Sequence, residues 1–147
     1  MLFVAGCHPA TQSNRKPKTT TSEVTGTKEE RIAAVSRIVL WAGDTQLQID
    51  DARLIEVKIG DGQLGPSDYQ SFLWIKLSPD QVTAWTAELT PLSKVPHYSV
   101  PPTKTDWWLT KEVFDEAVKY EARNRFGRSG WTVITKDGNV FAMTFTT

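Results

Sequence analysis

The sequence predicts an α+β domain, a mainly antiparallel four-stranded sheet packed with about three helices. Three observations carry that expectation. Residues 53–59 and 69–77 alternate side chains between two faces, the pattern of strands. Two further β-rich runs flank Asp137-Gly138, a dipeptide that favours a tight hairpin. Helix starts at Thr27, Ser78 and Thr110 each precede residues spaced for one apolar face. Strands and helices do not alternate strictly, which favours α+β over a parallel α/β sheet. The 147 residues make one domain with an N-terminal tail.

The chain opens Met1-Leu2-Phe3-Val4-Ala5-Gly6-Cys7, an apolar stretch that ends in small residues before the only Cys. Small residues let a signal peptidase draw the backbone close to its active site. Val4-Ala5-Gly6-Cys7 resembles a bacterial lipobox, in which the Cys becomes a lipidated N-terminus. A complete signal peptide has a basic start and an apolar run of about 7–15 residues. None of the residues before Cys7 is Lys or Arg, so 1–6 reads as the remnant of a signal peptide. Residues 7–27 are then the lipidated Cys and a flexible linker. After Cys7 this segment is rich in Thr, Ser, Pro and Lys, and Val24 is its one sizeable apolar side chain. It buries too little to offset its ordering entropy.

Residues 28–147 form the expected globular domain. Thr27 and Glu30 have the spacing of a capping box, and Ile32, Val35 and Val39 follow at helical spacing. The β-branched pair Ile38-Val39 weakens that helix near Arg37. In the first strand Ile55, Val57 and Ile59 share a face; in the second, Leu73, Ile75 and Leu77 do. The Gly-rich stretch from Gly60 to Pro66 joins them as an antiparallel pair. Ser78-Pro79-Asp80-Gln81 predicts a helix over 79–89 with Trp85 on its apolar face. Four prolines between 90 and 106 exclude regular helix there. Thr110 then caps a helix expected over 111–125, stopped by Gly127. With Asp137-Gly138 as a two-residue turn, Ile134 pairs with Phe141 and Thr132 with Met143. Both faces of that hairpin carry apolar side chains, so the sheet is expected to be covered on both sides.

The 17 Lys and Arg balance 17 Asp and Glu, and no strongly basic face is indicated, which argues against nucleic acid as partner. Arg15, Lys16 and Lys18 stand in the tail with one acid, Glu23, which leaves the domain slightly acidic. One Cys excludes an internal disulfide and a thiolate metal cluster. No metal site or cofactor is expected. Asp50, Asp51, Asp61 and Asp68 read as turn formers, and Glu112, Asp115 and Glu116 as the solvated face of one helix. No Gly-x-Ser-x-Gly, phosphate-loop or His-Glu-x-x-His pattern is present. His97, in a loop, is the one imidazole inside the domain.

Trp74, Trp85 and Trp131 fall on regular elements and read as core. Trp107 and Trp108 are adjacent at a loop-to-helix junction, where two neighbouring indoles point different ways. With Tyr98 and Arg125 they are the candidate contact residues, because Trp, Tyr and Arg dominate binding hot spots.

The layout from Gly6-Cys7 through Ser78-Pro79, Asp106-Trp107-Trp108 and Gly130-Trp131 to the Asp137-Gly138 hairpin is similar to small bacterial lipoproteins of uncharacterised function. That resemblance implies an α+β domain held at the cell envelope through lipid on Cys7. His8 rather than Asp follows the Cys, which points to the outer membrane, facing the periplasm, in a Gram-negative cell. The expected role is a non-enzymatic binding module for a protein or cell-wall component. The alternatives are an immunity-type protein or inhibitor that neutralises a toxin or hydrolase, and a hydrolase using His97.

Overall fold

The computed structural model describes residues 16–40, 47–62 and 65–146. Cys7 lies outside them. The architecture is α+β but richer in sheet than the sequence predicts. Among the described residues six strands, all antiparallel to their neighbours, replace the expected four. Four short helices among the described residues stand where about three were expected. In chain order they are β1 (Thr19–Glu23), α1 (Lys28–Ser36), β2 (Ile49–Ile59), β3 (Asp68–Leu77), α2 (Gln81–Thr86), α3 (Lys111–Glu116), β4 (Lys119–Glu121), α4 (Arg123–Phe126), β5 (Ser129–Ile134) and β6 (Asn139–Phe145). The spatial order β1-β2-β3-β6-β5-β4 joins two three-stranded meanders through the β3–β6 pair. Each half runs strand, helix, strand, strand, a topological repeat with no counterpart in the residue pattern.

Both extra strands come from backbone pairing that side-chain patterning does not report. β1 lies in the segment expected to be a flexible linker, and its side chains are all exposed. It earns its place through its main chain, pairing Thr19 to Ile59 through Glu23 to Ile55 along the edge of β2. Val24 N–H continues the ladder to Leu54 O at 2.9 Å. Its three β-branched Thr residues suit extended backbone. β4 breaks the helix expected over 111–125. Ala117 turns to extended backbone (ψ 152°), and Lys119–Glu121 pairs with Val133–Trp131 of β5. Thr90 and Leu92 bond the outer side of β4 and close that edge of the sheet.

The helices follow their caps. α1 carries the expected capping box: Thr27 Oγ1 accepts from Glu30 N–H, and the Glu30 carboxylate accepts from Thr27 N–H. α2 is shorter than expected, and its N-cap is Asp80 rather than Ser78. The Ser78 hydroxyl instead donates to Asp50 at 3.1 Å. Thr110 caps α3, as its sequence predicts.

The C-terminal hairpin forms one residue out of its expected register. Its loop has three residues, Lys136-Asp137-Gly138, closed by Thr135 N–H to Asn139 O at 2.9 Å. Gly138 sits at φ 87°, and an added Cβ would stand 2.5 Å from Leu77 O at the end of β3. Thr135 Oγ1 also accepts from Asn139 N–H at 3.1 Å, which favours the longer loop. Ile134 therefore pairs with Val140, and Phe141 pairs with Val133. A one-residue slip exchanges the faces of a strand, so β6 sends Val140 and Ala142 to one side and Phe141 and Met143 to the other.

Two cores result, one on each face. Val35, Leu54, Leu73, Ile75, Trp85, Phe126, Val140 and Ala142 gather where α1, α2 and α4 cover the sheet. Ile55, Phe72, Phe114, Trp131, Val133, Phe141 and Met143 gather on the other, under α3 and the proline-rich crossing before it. Arg31 ties α1 to β2: its guanidinium donates to Ala52 O at 3.0 Å, Gly26 O at 2.8 Å and Asp51 Oδ1 at 2.8 Å.

Two expectations test this architecture. Gly130 (φ 136°) faces Thr144 across the β5–β6 ladder, and an added Cβ would lie 2.8 Å from Thr144 Cα and press into the Met143 carbonyl. Gly130→Ala should cost roughly 3 kcal/mol or more in urea unfolding, with the m-value unchanged. Asp51 supplies the second. Burial pushes its carboxyl up, but the bonds from Arg31 and Ala52 and the Arg31 and Arg53 charges outweigh that and hold it below its ordinary value. A carboxyl depressed in the folded state stabilises above its unfolded pKa, and that contribution fades as pH falls through the folded value. Asp51→Asn should therefore cost about 1–2 kcal/mol near pH 7, and the gap to wild type should close below about pH 4.

Candidate functional site

The second face is covered mainly by irregular chain, and that chain carries the candidate site. Pro91, Pro96, Pro101 and Pro102 keep residues 90–110 out of regular helix, so side chains must hold the segment down. Trp108 is the principal one. Its ring meets Phe72 at 5.4 Å, Trp131 at 5.9 Å and Phe141 at 5.9 Å, and its Nε1–H donates to Ser99 O at 2.9 Å. Tyr98 stacks at 5.3 Å on Phe114 and donates its hydroxyl to Leu109 O at 2.8 Å. Burial, helped by the Glu112 charge, pushes the Tyr98 phenol above its ordinary pKa and keeps it a neutral donor. Both side chains are committed to the fold of the crossing.

Trp107 is placed differently. It packs edge-on against Trp108 at 5.8 Å and lines an open groove of about 450 Å³. Glu23, Arg53, Lys104, Thr105 and Asp106 complete the lining. Three separated segments meet there. Glu23 ends β1, Arg53 lies on β2 directly across from Trp74 of β3, and residues 104–107 belong to the crossing. Because Glu23 pairs with Ile55, and Arg53 lies two residues before Ile55, all three project from one face of the sheet. Two cations and two carboxylates thus share one groove. Among the described residues none of the four side chains makes an ion pair or a hydrogen bond. The Nε of Arg53 is buried without a partner.

Arg125 is not at this groove. It is 2% exposed and packs with the helical face of the sheet. Its Nη2 and Nε donate to Trp85 O at 2.8 and 3.2 Å, and Nη2 also reaches Ala84 O at 3.4 Å. Those carbonyls end α2, so the guanidinium satisfies acceptors that the helix leaves open and complements its dipole. Its Nη1 lies 3.4 Å from Glu88 Oε2. Arg123 and Arg128 diverge to Ser129 and Ser71 and form no common basic patch with it. His97 is exposed, and no hydrogen bond joins it to another described residue.

Of the four expected contact residues, Trp107 lines this groove. Trp108 packs behind Trp107, Tyr98 fastens the crossing to Phe114 and Leu109, and Arg125 serves the opposite core. The missed residues are Glu23, Arg53, Lys104 and Asp106. Arg53 carried a signal, since it shares its face of the strand with Ile55, Val57 and Ile59, where a charge is out of pattern. Glu23 and Lys104 carried none, because their place depends on β1 joining the sheet and on the path of the crossing. No group of three or more His, Cys, Asp or Glu side chains among the described residues is arranged to hold a metal ion. No described helix is long and apolar enough to cross a membrane.

Comparison with protein-family models, curated proteins and solved structures finds no match to this chain.

The two indoles should separate by stability. Trp108→Ala removes the ring that bridges Phe72, Trp131 and Phe141 and should cost about 3–5 kcal/mol in urea unfolding. Trp107→Ala removes a half-buried ring from one edge contact and should cost roughly 1–2 kcal/mol.

Proposed function

We propose that the protein is a bacterial envelope lipoprotein, tethered through lipid on Cys7, whose α+β domain is a non-catalytic binding module. The observation that carries the binding role is the groove at Trp107. Charged side chains from three segments converge on a half-exposed indole without pairing to one another. Self-paired charges would have to break those pairs to meet a ligand; these have only water to give up. The groove lies partly on irregular chain supported by a rigid sheet, a common place for binding residues. The anchoring rests on Val4-Ala5-Gly6-Cys7, with the apolar stretch before it and the polar segment after it. Acyl chains on Cys7 hold a domain at a bilayer surface without a spanning helix. On this reading Trp107 and its charged neighbours meet the partner, a protein or cell-wall component. Tyr98, Trp108 and Arg125 keep the scaffold in shape.

Intact mass of the protein extracted from the membranes of its native cell tests the anchoring. Wild type should begin at Cys7 and carry the added mass of acyl chains, whereas Cys7→Ala should lack that mass and leave the membrane fraction. An unlipidated wild-type protein overturns the anchoring.

A further inference from the structure

Arg53 departs most sharply from ordinary protein chemistry. A guanidinium has five N–H donors, and buried ones are nearly always satisfied because an unmade bond leaves the desolvation cost uncompensated. Arg53 holds its Nε buried and makes no hydrogen bond or ion pair with any described residue. Its field does reach Asp51, which is already bonded to Arg31. Arg53 and Lys104 both line the groove. A ligand cannot reach the buried Nε, but a carboxylate in the groove can accept charge-assisted bonds from the Nη groups. Lys104 adds a second positive charge to the same end of the interaction.

The groove also holds two acids, Glu23 and Asp106, with Trp107 beside them. A purely anionic ligand would meet these carboxylates as repulsion. A ligand carrying one ammonium and one carboxylate meets each with its opposite and leaves the occupied groove near neutral. The cavity, about 450 Å³, is within the usual range of small-molecule sites and holds roughly two or three amino-acid residues. The indole of Trp107 offers an apolar surface for short side chains between the two charged ends.

We infer that the groove between β1, β2 and residues 104–107 binds a short peptide with a free amine and a free carboxylate, the carboxylate on Arg53 and Lys104 and the amine on Glu23 and Asp106. The inference rests on the binding-module reading and names its ligand class. Anchoring through Cys7 is measured separately by mass, so a failed titration removes this ligand class and leaves the tether standing.

Isothermal titration calorimetry of the full chain with trialanine, N-acetyl-trialanine and trialanine amide tests it. Trialanine should bind, and blocking either terminus should weaken it roughly tenfold or more. Arg53→Gln should bind trialanine and its amide equally weakly, and Glu23→Gln should lose its discrimination against the acetylated form. Lys104→Gln, at an exposed position, repeats the Arg53 test without disturbing buried chain. Unliganded Arg53→Gln should melt at or above the wild-type temperature, because it removes an unsatisfied donor; a lower melting temperature makes Arg53 a structural residue and overturns the inference. No binding of trialanine overturns it, as does an amide that binds as tightly as the free acid. Acetate that binds as tightly as trialanine reduces the groove to a simple anion site and overturns it too.

Discussion

The pairing of β3 with β6 is the constraint on which the rest of the molecule depends. Gln70–Lys76 lies against Phe145–Asn139, and this pair joins the two meanders into one sheet. Their register sets both cores at once. Leu73 and Ile75 stand beside Ala142 and Val140 towards the helices, while Phe72 and Trp74 stand beside Met143 and Phe141 towards the crossing. A slip of one residue would put each apolar row on the wrong side. The register is held at one end, where Leu77 N–H bonds Gly138 O at 2.8 Å, and at the other, where Thr146 N–H bonds Tyr69 O at 2.9 Å. Trp74 Nε1–H adds a bond to Asn139 Oδ1 at 3.0 Å across the pair.

The two faces of that sheet are closed by different means. On one, α1, α2 and α4 bring regular apolar stripes, and Arg31 and Arg125 fasten the connections with bonds to main-chain carbonyls. On the other, a proline-rich crossing has few main-chain bonds to offer, so aromatic rings take over. Trp108 touches Phe72, Trp131 and Phe141 at once, and Phe114 meets Trp131 at 4.9 Å. Such a cover can leave an opening without breaking secondary structure. The groove at Trp107 lies where the crossing passes the β1–β2 edge, on the face that is closed by loops.

The parts that were legible in the sequence are those specified locally. The Thr27 capping box, the β2–β3 pair and the Thr110 cap need only neighbours along the chain, and each stands where the residues place it. The parts that were not legible depend on distant partners. Residues 117–121 have helix-compatible side chains, but β5 offers them an unpaired edge, and the ladder wins over local propensity. Thr19–Glu23 has no apolar face to reveal it, because its contribution is made by backbone groups. The hairpin was visible, yet its loop length turned on Thr135 and Asn139, which flank the Asp-Gly signal rather than belong to it. The candidate site follows the same division. Trp107 announced itself by residue type and by its place beside Trp108. The carboxylates and cations around it are ordinary surface residues until the fold assembles them.

Strand β1 bears on more than the strand count. By joining the sheet at Thr19 it shortens the chain between Cys7 and the domain, and from there to the first paired residue the backbone can span at most about 40 Å. In a lipid-anchored molecule the domain would then sweep a shallow layer above the bilayer rather than the depth of the envelope. Glu23, the groove residue of β1, lies at the far end of that same strand. The binding surface would be held on a short leash, with its encounters drawn from whatever passes close to the membrane that holds it.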